Sequence, residues 1–191
     1  MQPPFEIFTQ ELQSHFPEAS VAPYVRPGQR PPRPDQLAGE HLTDYFPLLV
    51  TQPGGRALVV NVETTGDYLK YFSREGSAIR NLLAHHGYWR IESSVNPKYT
   101  DFWILMLFLK DLPVQYLILP TERLKRVLDR THDREKFSLF LTKSGRAFAA
   151  QPLSTAKRLA VLDDLTLLNT EEHQDLILDS FLNNWHQLAA G

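Results

Sequence analysis

The chain has 191 residues, 42% of them hydrophobic, and a formal net charge of −2 at pH 7. That is enough apolar content for a single cored domain, and too little positive charge to coat a polyanion indiscriminately. The absence of cysteine excludes disulfides, zinc–thiolate sites and cysteine nucleophiles, and suits a reducing, cytoplasmic setting.

The opening residues Met1 to Glu6 have no basic stretch leading into a long apolar run, so no secretory signal is expected. Phe5, Ile7, Phe8, Leu12 and Phe16 then make a helical stripe that stops at Pro17. Residues 21–36 hold Pro23, Pro27, Pro31, Pro32 and Pro34 with Arg26, Arg30 and Arg33. Proline fixes the backbone and removes donors, which predicts a linker or wrapping loop here; a proline-rich ligand for a protein partner is the functional alternative.

Tyr45 to Thr51 and Ala57 to Thr65 are apolar runs around Gln52-Pro53-Gly54-Gly55-Arg56, the pattern of a β-hairpin. In the second run Val60, Val62 and Thr64 share one face, and Asn61, Glu63 and Thr65 share the other. Ser73 to His86 reads as a helix with Ser73 as N-cap and Gly87 just past its end. Tyr88 to Ser93 reads as a short strand broken by Asn96-Pro97. Phe102 to Leu109 and Val114 to Leu119 pair as strands around Lys110-Asp111-Leu112-Pro113, the first apolar on both faces as an interior strand is. Thr121 opens a helix to about Arg130, Phe137 to Thr142 and Arg146 to Ala149 form a third hairpin, and the chain from Leu159 onward reads as helical and acidic. The longest apolar run, Phe102 to Leu109, is too short to cross a bilayer as a helix, so no membrane partner is expected. The predicted fold class is α/β (α+β), a central mixed sheet flanked by helices.

Three groups could carry chemistry. The first is Asp44 with Glu63. If the first hairpin pairs as predicted, both carboxylates come to one rim of the sheet, where they could hold Mg²⁺, with Asn61 on the face of Glu63 to orient a ligand. The plain alternative for Glu63 is a solvated strand residue. The second is His85-His86, with His132-Asp133 downstream. Neighbouring histidines on a helix diverge by about 100°, so they do not chelate one metal together, and a helix C-terminus favours cationic side chains in any case. No serine lies in a Gly-x-Ser-x-Gly elbow to use His132-Asp133. The third is the basic run 122–146, with eight basic residues against four acidic ones. Arg123, Arg126 and Arg130 are spaced to share a helix face that could contact a phosphate backbone, the alternative being a solvated face.

Asp44-Tyr45-Phe46-Pro47-Leu48-Leu49-Val50 followed by Val60-Asn61-Val62-Glu63-Thr64-Thr65 resembles the PD-(D/E)XK, restriction-endonuclease-like superfamily, in which an aspartate opens one strand and the next carries the catalytic segment. Asp101-Phe102-Trp103-Ile104-Leu105 and Tyr116-Leu117-Ile118-Leu119-Pro120 resemble its later strands, so the likeness spans roughly residues 40–130. It implies a restriction-endonuclease-like fold, a role with DNA in processing or defence, and Mg²⁺ at Asp44 and Glu63. The family's second strand ends in an acid or Gln, one spacer, then Lys. Here Asn61 and Glu63 fill those places, or Glu63 and Thr65 in the other register, and neither register supplies the lysine. Lys70 or Lys98 would have to replace it from another element. The resemblance therefore implies either a nuclease with a displaced lysine or a chain inactive as a nuclease. A protein-binding module on the same fold, an adaptor or regulatory subunit, is the other reading.

Overall fold

The computed structural model describes residues 3–25, 28, 30, 47–52, 54–65, 68, 77–91, 99–109, 113–130, 136–151, 153–171 and 173–190. Asp44, Lys70, Lys98, His132 and Asp133 lie outside them. The described elements are α1 (Pro4–His15), β1 (Ser20–Pro23), β2 (Leu48–Thr51), β3 (Ala57–Thr65), α2 (Ser77–Leu82), β4 (Leu83–Arg90), β5 (Phe102–Leu107), β6 (Gln115–Pro120), α3 (Thr121–Asp129), β7 (Lys136–Thr142), β8 (Ala147–Ala149) and α4 (Thr155–Asp163). Three single 3₁₀ turns and the short helix α5 (His186–Ala190) follow.

A central mixed sheet runs in the order β1-β2-β3-β5-β6. β2 and β3 are antiparallel through a turn in which Gly54 and Gly55 take φ of 92° and 86°, open to glycine and strained for other residues. β3 and β5 are parallel, Val60 opposite Phe102 through Thr65 opposite Leu107. β5 and β6 are antiparallel. The four strands expected in this sheet are present over Leu48–Thr51, Ala57–Thr65, Phe102–Leu107 and Gln115–Pro120, Tyr45 and Phe46 lying outside the described residues, and β3 and β5 are interior as their apolar faces require. β1 is an addition. Residues 21–23, expected in a loop, form an edge strand against β2, with Pro23 at its last position, where a missing donor costs little.

Each face of this sheet is covered. On one, Leu48, Val50, Val60, Val62, Ile104 and Ile118 pack against Phe8 and Leu12 of α1 and Trp185 and Leu188 near the C-terminus. On the other, Trp103, Leu105, Leu107, Leu117 and Leu119 pack against Leu124, Val127 and Leu128 of α3 and against a second, three-stranded sheet. Removing one such aliphatic side chain from water contributes roughly 1.5–3 kcal/mol.

That second sheet, in the order β4-β7-β8, corrects the helix expected over Ser73 to His86. The helix ends at Leu82, and Leu83 to Arg90 is a strand paired antiparallel with β7, so His85 and His86 lie on a strand and Gly87 is inside it. Leu83, His85, Gly87 and Trp89 are buried while Ala84, His86 and Tyr88 are half-buried, a period of two that pairing with β7 enforces over local helix preference. The chain after Asp163 also departs from the expected helix. Its backbone runs along two strand edges instead, bridging Ile177 to Phe148 and Leu182 to Leu117, which a continuous helix cannot do because its amides are already committed. Among the described residues no helix is long and apolar enough to cross a membrane.

Candidate functional site

β3 alternates as its sequence dictates. Leu58, Val60 and Val62 are buried, and Val59, Asn61 and Glu63 are half-buried on the other face. Asn61 stands beside Trp103 and Glu63 beside Leu105 on the neighbouring parallel strand. The Asn61 side-chain amide reaches the hydroxyl of the buried Thr100 at 3.5 Å, the outer limit of a hydrogen bond. β2 begins at Leu48, opposite Val60, so Glu63 lies beyond the described β2–β3 ladder. Whether Asp44 meets Glu63, and where Lys70 lies, falls outside the described residues. Glu63 and Asn61 supply one carboxylate and one amide oxygen, fewer protein donors than an ion held by the protein alone requires. Among the described residues no group of three or more His, Asp or Glu side chains is placed to hold a metal ion.

Thr65, which occupies the lysine position in one register, is committed elsewhere. Its hydroxyl donates to the Tyr88 carbonyl at 2.8 Å and accepts the Tyr88 amide at 3.1 Å. The end of β3 thus meets the edge of β4 at Tyr88, and the Tyr68 amide donates a hydrogen bond to the His86 carbonyl at 3.0 Å. This seam joins the two sheets without a continuous ladder.

Asp101, read only as part of a strand motif, is a structural clip. One of its carboxylate oxygens accepts the Val59 amide at 2.7 Å, its own amide donates to the Val59 carbonyl at 2.8 Å, and its carbonyl accepts the Thr121 amide at 2.9 Å. It therefore fixes the starts of β3, β5 and α3 together. The first turn of α3 is served by this carbonyl, while the Thr121 side chain makes no cap.

On α3 the three arginines separate in role. The Arg123 guanidinium meets Asp175 at 2.5 Å, donates to the Gln174 and Ile177 carbonyls at 3.1 Å each, and lies 5.6 Å over the Phe181 ring. Burial pulls its pKa below the usual arginine value, and the neighbouring Asp175 carboxylate opposes that shift. Arg130 binds the second oxygen of Asp175 at 2.8 Å. Arg126 is exposed. Two of the three residues expected to face a polyanion thus hold the C-terminal segment in place. Arg146 is similarly engaged, by Asp179, which also accepts the Ala147 amide. Three arginines of the basic run thus pair with Asp175 and Asp179 of the acidic C-terminal segment, a pairing that the charge segregation in the sequence hinted at.

The histidines also separate. His85 is fully buried. His86 brings Nε2 to 2.9 Å from the Ser138 hydroxyl and sets its ring edge-on to Phe140 at 5.0 Å.

No family model, curated protein or solved structure matches this chain.

Proposed function

We propose that the chain is a divergent restriction-endonuclease-like protein associated with DNA processing or defence, inactive as a nuclease on its own. The reading rests on the strand order and on the segment at its centre. Antiparallel β2–β3, parallel β3–β5 and antiparallel β5–β6 are followed by α3, and the interior strand carries Asn61 and Glu63 on one half-buried face. The observation that carries the inactivity is Thr65. Where Glu63 is taken as the acid, the lysine position holds a hydroxyl bound to both backbone groups of Tyr88. Where Asn61 fills the acid-or-Gln position, the lysine position holds Glu63, whose charge repels a phosphodiester. Mg²⁺ bound at Asp44 and Glu63 would supply Lewis acidity, but neither register adds a lysine to position the water.

The adaptor reading is favoured by one observation. Asp175 holds Arg123 and Arg130, so the face expected to bind DNA is largely spent within the chain, leaving Arg126 exposed. Fluorescence anisotropy with labelled duplex DNA separates the two. Salt-dependent binding that weakens in Arg126→Gln supports the DNA role, and no binding at low salt supports the adaptor.

A further inference from the structure

Residues 175–179 run from α3 to the start of β8. On the α3 side the Gln174 and Ile177 carbonyls accept the Arg123 guanidinium at 3.1 Å each. On the β8 side the Leu178 amide donates to the Ala147 carbonyl at 2.8 Å. Leu176 and Leu178 are buried, and Asp175, Ile177 and Asp179 alternate with them as half-buried residues. Both carboxylates of this segment meet cations. Asp175 takes Arg123 at 2.5 Å and Arg130 at 2.8 Å, and Asp179 takes Arg146.

The three arginines differ in what else can reach them. Arg123 is the buried anchor. Arg130 and Arg146 have 35% and 38% of their side chains exposed, and the exposed Arg126 lies one helical turn before Arg130 on α3. Four steps of chain between the two aspartates span at most about 14 Å, so the cations at the two ends of the segment can face one polyanion together. Exposed ion pairs are weak, and a phosphate oxygen bonds a guanidinium at least as well as a carboxylate does. The two aspartates also carry the charge that repels an approaching phosphate.

We propose that Asp175 and Asp179 are an internal anion, a built-in competitor that occupies Arg130 and Arg146 and holds down the affinity of this surface for a DNA backbone. This rests on the DNA-associated reading above. The segment stays in place, because Leu176 and Leu178 fix it in the core. The masking therefore works by charge and requires no part of the chain to leave.

Fluorescence anisotropy of the full chain with labelled duplex DNA over a salt series tests it, comparing the native chain with Asp175→Asn/Asp179→Asn. Asparagine keeps the shape and an oxygen acceptor for each arginine. The double variant should bind at least about tenfold more tightly at low salt, with a salt slope steeper by about two, one for each arginine released. Asp163→Asn/Glu171→Gln removes the same two charges at exposed positions that form no ion pair among the described residues, and should bind as the native chain does. Equal tightening in the two double variants, or none in Asp175→Asn/Asp179→Asn, overturns the masking. If that variant does not fold, as judged by circular dichroism, Asp179→Asn alone should steepen the slope by about one, and an unchanged slope overturns the masking. Labelled heparin as a second probe separates the two readings. Native DNA binding that the double variant leaves unchanged removes the masking and keeps the DNA role, whereas heparin binding gained without DNA binding keeps the masked cationic surface and removes the DNA role.

Discussion

The Thr65 hydroxyl donates to the carbonyl of Tyr88 and accepts its amide, so one side chain closes the seam between two sheets. Replacing Thr65 with Val keeps the shape and leaves both backbone groups of Tyr88 without that partner. The expected cost is about 1–3 kcal/mol. Urea unfolding followed by tryptophan fluorescence reads it directly, and an unchanged midpoint would show that the seam does not depend on this hydroxyl.

Gly87 makes the same junction close. A Cβ there would stand 2.3 Å from Cη2 of the Trp89 ring and 3.3 Å from the Thr65 methyl group. Gly87→Ala must therefore displace a buried indole, with an expected loss of about 1–3 kcal/mol. A Gly87→Ala melting temperature equal to that of the native chain would mean that the indole moves at no cost.

Arg123 and Arg130 share Asp175 unequally, with 14% and 35% of their side chains exposed. Arg123→Ala leaves one oxygen of the half-buried Asp175 and two backbone carbonyls without their donor, and should cost about 3 kcal/mol. Arg130→Ala, nearer the surface, should cost less than about 1 kcal/mol. Chemical denaturation of both variants checks the order, and equal losses would contradict the view that Arg123 is the anchor.

Tyr116 packs edge-on to Trp185 at 5.0 Å, and burial pushes its pKa up to about 12, with Glu11 adding to the shift. The ionised phenol is disfavoured in the fold, so an unfolded chain gives up this proton first as pH rises. Stability linked to Tyr116 is complete below the ordinary tyrosine value of about 10 and falls from there up to about pH 12. Tyr116→Phe should lose less stability than the native chain across that window in pH-dependent melts. Parallel declines in the two proteins would remove Tyr116 as the cause.

Much of this architecture was legible in the sequence because the strands of the central sheet carry their own pattern. Alternation marked β3, and apolar content on both faces marked β5 as interior. Leu83 to Gly87 escaped because its histidines and glycine carry no strong strand preference, and only pairing with β7 makes it a strand continuous with Tyr88 to Arg90. The interactions that define the site region are non-local. Thr65 and Tyr88 are 23 positions apart, Val59 and Asp101 are 42 apart, and Arg123 and Asp175 are 52 apart, beyond the reach of any local pattern. The exception is charge. A basic run followed by an acidic tail was visible as segregation, and the fold resolves part of it as ion pairs.

The proposed function predicts that the chain does not cut DNA, because no lysine stands at either register of β3. Incubation of the purified chain with plasmid, linear duplex and single-stranded DNA, in Mg²⁺ and separately in Mn²⁺, tests it most directly. No cleavage above the buffer control is predicted for any substrate. Cleavage that disappears in both Asp44→Ala and Glu63→Ala would contradict the claim, and its loss in Lys70→Ala would identify the displaced lysine.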